Sequence, residues 1–256
     1  MKKDLVLVKA GVEFITLDLI DKVHRLSQEF ENVAMGVYTD EAFERIFNRK
    51  PIKPYEERAR LADSLKGVKF VYSINNEDST QRRVEQPVFN RNNNPKSVDV
   101  GYIPGTYDLF HEGHLQHLLE GREICNVLIA GVNSDDLVRS NKGYSPYQDE
   151  EKRRTVLENL KFVDRVIIVH TNDKSQVNEI VRQITGGKSI NAIIMGSDLR
   201  EKSNLDQNPE GIPIIYTERD PVKMANSWST TALKKKMNEF LGDIIVVEVD
   251  AEHVND

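Results

Sequence analysis

The sequence predicts an α/β fold in which a parallel sheet carries helices on both faces, in two successive copies. Three observations support this prediction. From Val98 onward, apolar runs of strand length alternate with segments of helical periodicity. About the first 74 residues repeat the same order at a nearly constant offset. Helices separate the strands, and such crossovers place successive strands parallel in one sheet.

The complete series of elements lies in the second half of the chain. The predicted strands are 97–103, 126–132, 163–169, 192–196, 212–217 and 243–249. The predicted helices are 111–124, a short helix from Ser134 or Asp135, 149–160, 175–184 and 229–241, with a polar loop at 141–147. The run at 126–132 is apolar enough for a strand that is buried on both faces.

The first half of the chain resembles the second. Aligning Gly36 with Gly131 sets an offset of 95 residues, which continues without a gap to Ile74. Ten of these 39 aligned positions are identical, whereas chance would give roughly two or three. This pattern indicates an internal duplication, whose first copy ends after its third strand.

Upstream of Gly36 the alignment needs a slip of one residue. Leu17 and Ile20 then occupy the places of His111 and His114. The first copy therefore has the scaffold of the second without its histidines, and we expect it to bind no nucleotide.

These comparisons divide the chain into three parts. We expect a degenerate copy at 1–76, a polar, Asn-rich linker at 77–97 and a complete domain at 98–256. A three-stranded copy buries only part of its sheet, so it must cover its apolar surface. We expect it to pack on the complete domain through a pseudo-twofold contact, which leaves a further homo-oligomer open.

The overall composition excludes several classes of protein. A net charge of −6 argues against a general nucleic-acid binder, although a small anionic ligand needs only a few local donors. Cys125 is the single cysteine, so no internal disulfide forms and a reducing cytoplasm is the simplest location. The N-terminal apolar run is short and interrupted by Lys9, which indicates a strand and not a signal peptide. No apolar run approaches membrane-spanning length.

The stretch GYIPGTYDLFHEGHLQHL, residues 101–118, carries the most chemical information. A strand ends at a Pro-Gly-Thr turn, and a helix begins near His111. This arrangement places N–H groups and the positive end of a helix dipole at the carboxyl edge of a parallel sheet, where anions bind. His114 lies one turn further on, and Gly113 between the two leaves room for a ligand close to the backbone. Donors that converge on phosphate suit phosphoryl or nucleotidyl transfer.

Other interpretations of the same stretch remain open. Thr106 offers a hydroxyl, and Asp108 a carboxylate that can orient an imidazole or a cation. Three histidines at intervals of three also fit a metal site, but zinc needs a further ligand and Cys125 is poorly placed to supply it. His117 has no motif support and is best explained as a helix-face residue. We therefore expect no resident metal.

The segment GTYDLFHEGH resembles the G-x-F-D-x-x-H-x-G-H signature of the cytidylyltransferases, with Tyr107 in the usual Phe position. Four further segments resemble that family in the same order: LIAGVNSDD, NKGYSPYQDEEKRRTVLENLKFVDRVI, IIMGSD and SWSTTAL. The resemblance extends over about Val98–Phe240 and implies a Rossmann-like domain. It also implies transfer of CMP from CTP to a phosphorylated alcohol, with release of pyrophosphate.

The resemblance implies the following catalytic roles. His111 and His114 would bind the CTP phosphates and stabilise the crowded α-phosphorus. Lys142 would pair with the substrate or the α-phosphate, and Arg153 would support the phosphate site. Each of the last two has a simpler explanation, as a loop lysine and a helix residue. Arg58 occupies the Arg153 position in the copy without histidines, so a partly structural role is open.

The remaining residues that the resemblance implies would bind the nucleotide. Those in the motif are Gly105, Thr106, Tyr107, Asp108 and Gly113; those further along are Asp198 at the nucleobase, Arg219 as a cation, and Ser229, Thr230 and Thr231 at the β- and γ-phosphates. Lys223 is an alternative to Arg219, because the segment before the Ser-Thr-Thr is longer than the family usually has. Ser229 alternatively serves only as a helix cap.

The acceptor and the nucleotide stay open at this point. Glycerol 3-phosphate is the first expectation, although Leu199 stands where glycerol-phosphate enzymes tend to have an aromatic residue. Phosphoethanolamine, phosphocholine and other polyol or sugar phosphates are alternatives. Mg²⁺ would accompany CTP, held mainly by the triphosphate. The heptose-phosphate adenylyltransferases share the histidine motif, and the Asn-Lys-Gly at 141–143 suits that type. A non-enzymatic nucleotide-binding protein is the remaining alternative.

Overall fold

The computed structural model describes residues 2–76, 79–83, 96–202, 207–218 and 251–253. They form two compact units. The first unit comprises 2–76, 79–83, 159–161 and 251–253, and the second comprises 96–158, 162–202 and 207–218. Within these ranges no helix is long and apolar enough to cross a membrane.

The first unit is a five-stranded sheet with three helices. Its elements are β1 (Lys3–Ala10), α1 (Leu17–Glu29), β2 (Phe30–Tyr38), α2 (Asp40–Phe47), α3 (Tyr55–Ser64), β3 (Val68–Asn76), β4 (Ser79–Arg83) and β10 (Ala251–His253). The strand order is β10-β1-β2-β3-β4. The three central strands are parallel, and the two edge strands pair antiparallel.

The second unit is a fully parallel five-stranded sheet. Its elements are β5 (Val98–Gly105), α4 (Glu112–Ile124), β6 (Cys125–Asn133), α5 (Asp135–Lys142), α6 (Glu150–Glu158), β7 (Arg165–Val169), α7 (Lys174–Thr185), β8 (Ala192–Gly196), a 3₁₀ helix (Ser197–Lys202) and β9 (Ile214–Thr217). The order β7-β6-β5-β8-β9 is that of a Rossmann-like sheet. The predicted α/β fold is confirmed.

The strand order fixes where a ligand is expected to bind. The chain adds β6 and β7 on one side of β5 and then β8 and β9 on the other, so the direction of winding reverses between β5 and β8. Open α/β sheets bind ligands outside the carboxyl ends of their strands at such a reversal. The turn after β5 lies at that point.

Several predicted elements differ from the observed ones. Part of the predicted linker forms β4, because the open edge of β3 leaves backbone groups that an antiparallel strand can pair. The sequence predicts a parallel sheet, but β10 pairs antiparallel with β1 in the first unit, so that sheet is mixed. Helix α5 continues through Lys142, where a loop was expected. The predicted helix at 229–241 and strand at 243–249 lie outside the described residues.

From β1 and β5 to α2 and α5, corresponding elements of the two units begin and end 95 residues apart. β1 and β5 have equal lengths, as do α1 and α4, and β2 and β6. The predicted one-residue slip is therefore wrong. Thr16 and Leu19, and not Leu17 and Ile20, stand 95 residues before His111 and His114. The slip arose from aligning Gly11 with Gly105, whereas the N-cap residues of α1 and α4, Thr16 and His111, lie 95 residues apart.

Local sequence accounts for the helix boundaries near the site. The Ser134 side chain accepts the N–H of Leu137 and caps α5, as Thr39 caps α2. Helix α5 ends at Gly143, which adopts the left-handed conformation (φ 73°) that terminates helices. Lys142 therefore stands in the last turn of α5, with its direction set by the helix.

Candidate active site

The turn after β5 is held by its own side chains. The Tyr107 ring folds over Gly105, where an added Cβ would lie 2.7 Å from the ring, so only glycine fits. The Tyr107 hydroxyl donates to the Ile103 carbonyl oxygen at 3.0 Å. Tyr107 and Leu109 both have positive φ angles, 57° and 50°, a conformation that non-glycine residues adopt rarely. Tyr107, expected as a nucleotide contact, uses its side chain in the turn.

The two histidines of the motif stack on each other at the start of α4. The ring centroids of His111 and His114 lie 3.8 Å apart with an interplanar angle of 21°. The rings of Tyr107 and Phe110 lie 5.3 and 5.7 Å from that of His114. His111 is the N-cap residue of α4, and its carbonyl oxygen accepts the N–H of His114 at 2.9 Å. The pair thus lies beside the helix N-terminus, whose first N–H groups cannot bond within the helix.

Gly113 governs the space beside the histidine pair. A Cβ added there would lie 3.2 Å from two atoms of the His111 ring, which is tighter than ordinary van der Waals contact. Any larger residue at this position would press on the imidazole. Glycine at this position therefore leaves the His111 ring undisturbed.

Lys142 reaches the same turn from α5. Its Nζ donates to the Thr106 hydroxyl oxygen at 2.9 Å, and the lysine side chain is exposed. Asn141 is fixed by a reciprocal amide pair with Asn172, with N–O distances of 3.2 and 2.9 Å. The structure therefore brings together the lysine and the threonine, which the sequence places 36 residues apart.

Asp108 holds the far end of the segment 142–148, the lysine-bearing loop, which begins with the last residue of α5. Its carboxylate accepts the N–H groups of Tyr147 and Gln148 at 2.9 to 3.0 Å. Gln148 returns the contact, because its side-chain oxygen accepts the Leu109 N–H at 3.2 Å. The expectation was that Asp108 would orient an imidazole or a cation. In these contacts it instead caps backbone donors of the loop.

Arg153 is buried beneath the turn. Its Nη1 donates to the Thr106 carbonyl oxygen at 2.5 Å and its Nε to the Gln148 carbonyl oxygen at 2.9 Å. Its Nη2 pairs with the Asp135 carboxylate at 2.6 Å. The arginine side chain has no exposed surface. Sequence reasoning missed Asp135, although Asp40/Asp135 and Arg58/Arg153 both appear among the aligned identities.

Of the remaining expected site residues, the structure describes only Asp198. Asp198 lies exposed in the 3₁₀ helix that follows β8, across the reversal point from the histidines. The four residues expected at the triphosphate end lie outside the described residues: Arg219, Ser229, Thr230 and Thr231.

His117 has a partner that the sequence did not indicate. It is buried, and its Nδ1 lies 2.9 Å from the Thr217 hydroxyl oxygen at the end of β9. The Thr217 hydroxyl also lies 3.4 Å from the Met195 carbonyl oxygen of β8. The expected helix-face residue thus joins α4 to the strands on the far side of the reversal point. The two residues lie 100 positions apart in the sequence, so no local sequence pattern indicates that they meet.

Among the residues that the structure describes, no three His, Cys, Asp or Glu side chains are grouped so as to hold a metal ion. Burial raises the pKa of the Cys125 thiol to about 11, and the nearby Arg122 opposes this only in part. Such a thiol is a poor nucleophile at neutral pH.

Comparison with known proteins gives three kinds of match. Residues 102–240 match a family described as cytidylyltransferase-like. Three curated relatives share the printed name bifunctional protein HldE. That of Bradyrhizobium sp. is 36% identical over 110 residues, or 41% of this chain and 22% of the relative. That of Paramagnetospirillum magneticum is 31% identical over 147 residues, or 56% and 28%. That of Aliarcobacter butzleri is 25% identical over 211 residues, or 82% and 39%.

The relatives are longer than this chain. The chain spans between about a fifth and two fifths of the length of these three curated relatives. Among solved structures, a lipopolysaccharide core biosynthesis protein from Thermoplasma volcanium is 25% identical, with a TM-score of 0.40 over 48% of this chain and 97% of that one.

Proposed function

Because the chain belongs to the cytidylyltransferase-like family, we propose that it transfers a nucleoside monophosphate from a nucleoside triphosphate to a sugar phosphate. Adenylyl transfer from ATP is our first candidate. Similarity to the bifunctional HldE proteins supports a sugar phosphate over the glycerol 3-phosphate expected from the motif. The Asn-Lys-Gly at 141–143, which suits the heptose-phosphate type, points the same way.

The observation that carries this proposal is the cluster of phosphate-binding groups at one sheet edge. The stacked His111 and His114, the start of α4 and the Lys142 Nζ all lie at the turn after β5. An anion at this place would meet helix N–H groups, imidazoles and an ammonium group together. That combination matches the charge that develops on a phosphorus undergoing substitution.

The reaction needs alignment more than acid–base chemistry. A phosphate oxygen of the acceptor attacks the α-phosphorus, the bond from that phosphorus to the bridging oxygen breaks, and pyrophosphate leaves with the electron pair. A phosphate dianion is already a competent nucleophile, so the protein need not supply a strong base. The histidines would neutralise the crowded α-phosphate. Lys142 would give up its contact with Thr106 and bind a phosphate oxygen instead.

Mg²⁺ is expected to arrive with the nucleotide. The carboxylate closest to the turn, Asp108, is occupied by two backbone N–H groups. No metal-binding cluster occurs in the part of the chain that the structure describes. These observations do not fit a protein-built magnesium site, so we assign the ion to the triphosphate oxygens and water.

CMP transfer from CTP is the second candidate, because the matched family and the G-x-x-D-x-x-H-x-G-H motif both point to cytidylyltransferases. Selectivity between the two bases depends on contacts near Asp198 and on residues beyond the described ranges.

Pyrophosphate release tests both candidates in one assay. The purified protein is given ATP or CTP with Mg²⁺ and each of several acceptors: heptose and hexose 1-phosphates, glycerol 3-phosphate, phosphoethanolamine and phosphocholine. We expect the largest rate with ATP and a sugar phosphate. The matched control is His24→Ala, which removes an exposed histidine of the first unit, against His114→Ala in the site. Release that no acceptor stimulates, or that survives His114→Ala, would contradict the proposal.

A further inference from the structure

The first unit repeats the Arg153 contacts without the catalytic histidines. The Arg58 Nε donates to the Lys53 carbonyl oxygen at 2.9 Å, and its Nη1 to the Gly11 carbonyl oxygen at 3.0 Å. Its Nη2 pairs with Asp40 at 2.6 Å, and its side chain is fully buried. Each partner lies 95 residues before the corresponding partner of Arg153.

The residues that would touch a ligand are not retained in the first unit. Asp18 stands at the position of Gly113, and Phe47 at that of Lys142. The Phe47 ring packs on Phe43 with 4.4 Å between centroids. The arginine arrangement is therefore present in a unit that lacks the ammonium group and the imidazoles. A guanidinium that served only to bind phosphate would have no reason to keep the same three contacts there.

Burial also prevents direct contact between Arg153 and a ligand. The side chain has no exposed surface, and its three nitrogens already donate to Thr106, Gln148 and Asp135. Charge-assisted bonds of this kind are short and directional, so they fix the atoms that they join. Two of the three join opposite ends of the site, the turn after β5 and the end of the lysine-bearing loop.

We propose that Arg153, oriented by Asp135, is a positioning residue that locks the Thr106 turn to the Gln148 end of the loop and does not bind phosphate. The lock sets the Thr106 hydroxyl where the Lys142 Nζ meets it. Together with the Asp108 contacts to Tyr147 and Gln148 and the Lys142 contact to Thr106, it holds the segment 142–148 at both ends. This inference concerns the proposed nucleotidyl-transfer site and rests on that function only for its kinetic readout.

Hydrogen exchange of the full-length protein tests the lock without any substrate. In Arg153→Lys we expect the peptide spanning 143–148 to exchange at least about tenfold faster than in the wild type, because its anchoring contacts open more often. The matched control is Arg58→Lys, which loses the same three contacts at the corresponding place and should leave that peptide unchanged. Unchanged exchange at 143–148 in Arg153→Lys would overturn the proposal.

Kinetics separate positioning from phosphate binding. A positioning role predicts that Arg153→Lys lowers kcat by about ten- to a hundredfold, since small displacements of reacting groups have effects of that size. The KM for the nucleotide should change less than about threefold, because uniform binding is retained. A KM raised more than about tenfold at nearly constant kcat would identify a phosphate ligand and overturn the proposal.

Asp135→Asn supplies a second variant with almost the same shape. If Asp135 acts through Arg153, this variant should reproduce both the faster exchange and the lower kcat, and the double variant should be no worse than either single one. Additive effects would overturn the coupling. If Arg153→Lys does not fold, Asp135→Asn decides alone. If the wild type releases no pyrophosphate, the proposed function fails while the exchange comparison still decides the lock.

Discussion

The imidazole rings of His111 and His114 stack with 3.8 Å between their centroids, so they act as one unit at the start of α4. A phosphate at this helix start would therefore meet both imidazoles together with the N–H groups of the first turn.

Replacing His114 with Ala should remove nearly all turnover and leave the fold intact. A lost donor to the developing charge typically raises the barrier by roughly 3–4 kcal/mol, or about two to three decades in rate. Steady-state pyrophosphate release measures the loss, and circular dichroism checks the fold. His24→Ala should retain the wild-type rate. A His114→Ala enzyme within about threefold of the wild type would show that the motif does not carry the chemistry.

Gly113→Ala should separate stability from activity. Within the first turn of α4 alanine is the better helix former, by up to about 1 kcal/mol, so the melting temperature should stay the same or rise. The new methyl group would press on the His111 ring from 3.2 Å and displace it, which should lower kcat about tenfold or more. Asp18→Ala, at the corresponding position of the first unit, is the control and should leave kcat unchanged.

The segment 143–146 should be the part of the lysine-bearing loop that responds to nucleotide. Lys142, Tyr147 and Gln148 are anchored at its two ends, whereas Gly143–Ser145 is exposed. Hydrogen exchange with and without nucleotide should show added protection there, because Lys142 exchanges its Thr106 contact for phosphate. Lys142→Met should abolish the added protection, and Lys50→Met in the first unit should not. Equal protection in both states would make Lys142 a bystander.

The buried Cys125 thiol should make the protein lose stability at alkaline pH. Its pKa is raised from 9.0 to about 11 in the folded state, so the neutral thiol favours folding below pH 9. That contribution, about 3 kcal/mol at most, is lost as the pH rises from 9 towards 11. Urea unfolding at pH 8, 9.5 and 11 measures how steeply the free energy of unfolding falls with pH, for the wild type and for Cys125→Ala. A slope that is not shallower in the alanine variant would refute the assignment.

The two-unit organisation leads to a prediction about a shortened chain. We expect the first unit to be needed for a stable second unit. Residues from about 90 to 256 expressed alone would lack β1, the strand with which β10 pairs, so this shortened chain should aggregate or lose activity. Size-exclusion chromatography and the pyrophosphate assay provide the readouts. A stable, fully active monomer would rule out the supporting role.

The sequence by itself determined the α/β class, the order of the elements and the histidine motif. Periodicity is a local property, so strands such as β6 and β8 were predicted to within a residue. Helix propensity and the glycine at 143 also act locally, although the end of α5 was missed because Asn141 and Lys142 carry no strong signal. The 95-residue correspondence of Arg58 with Arg153 was visible in the same way, as a pattern of identities.

Only the tertiary structure decided which side chains meet. Asp108 and Tyr147, Lys142 and Thr106, and His117 and Thr217 are separated by 39, 36 and 100 residues, and their contacts depend on how the strands are ordered and registered. It also corrected Leu17 and Ile20 to Thr16 and Leu19, because the observed N-cap residues Thr16 and His111 lie 95 residues apart. Contacts between distant residues arise from packing the whole sheet, and no local periodicity encodes them.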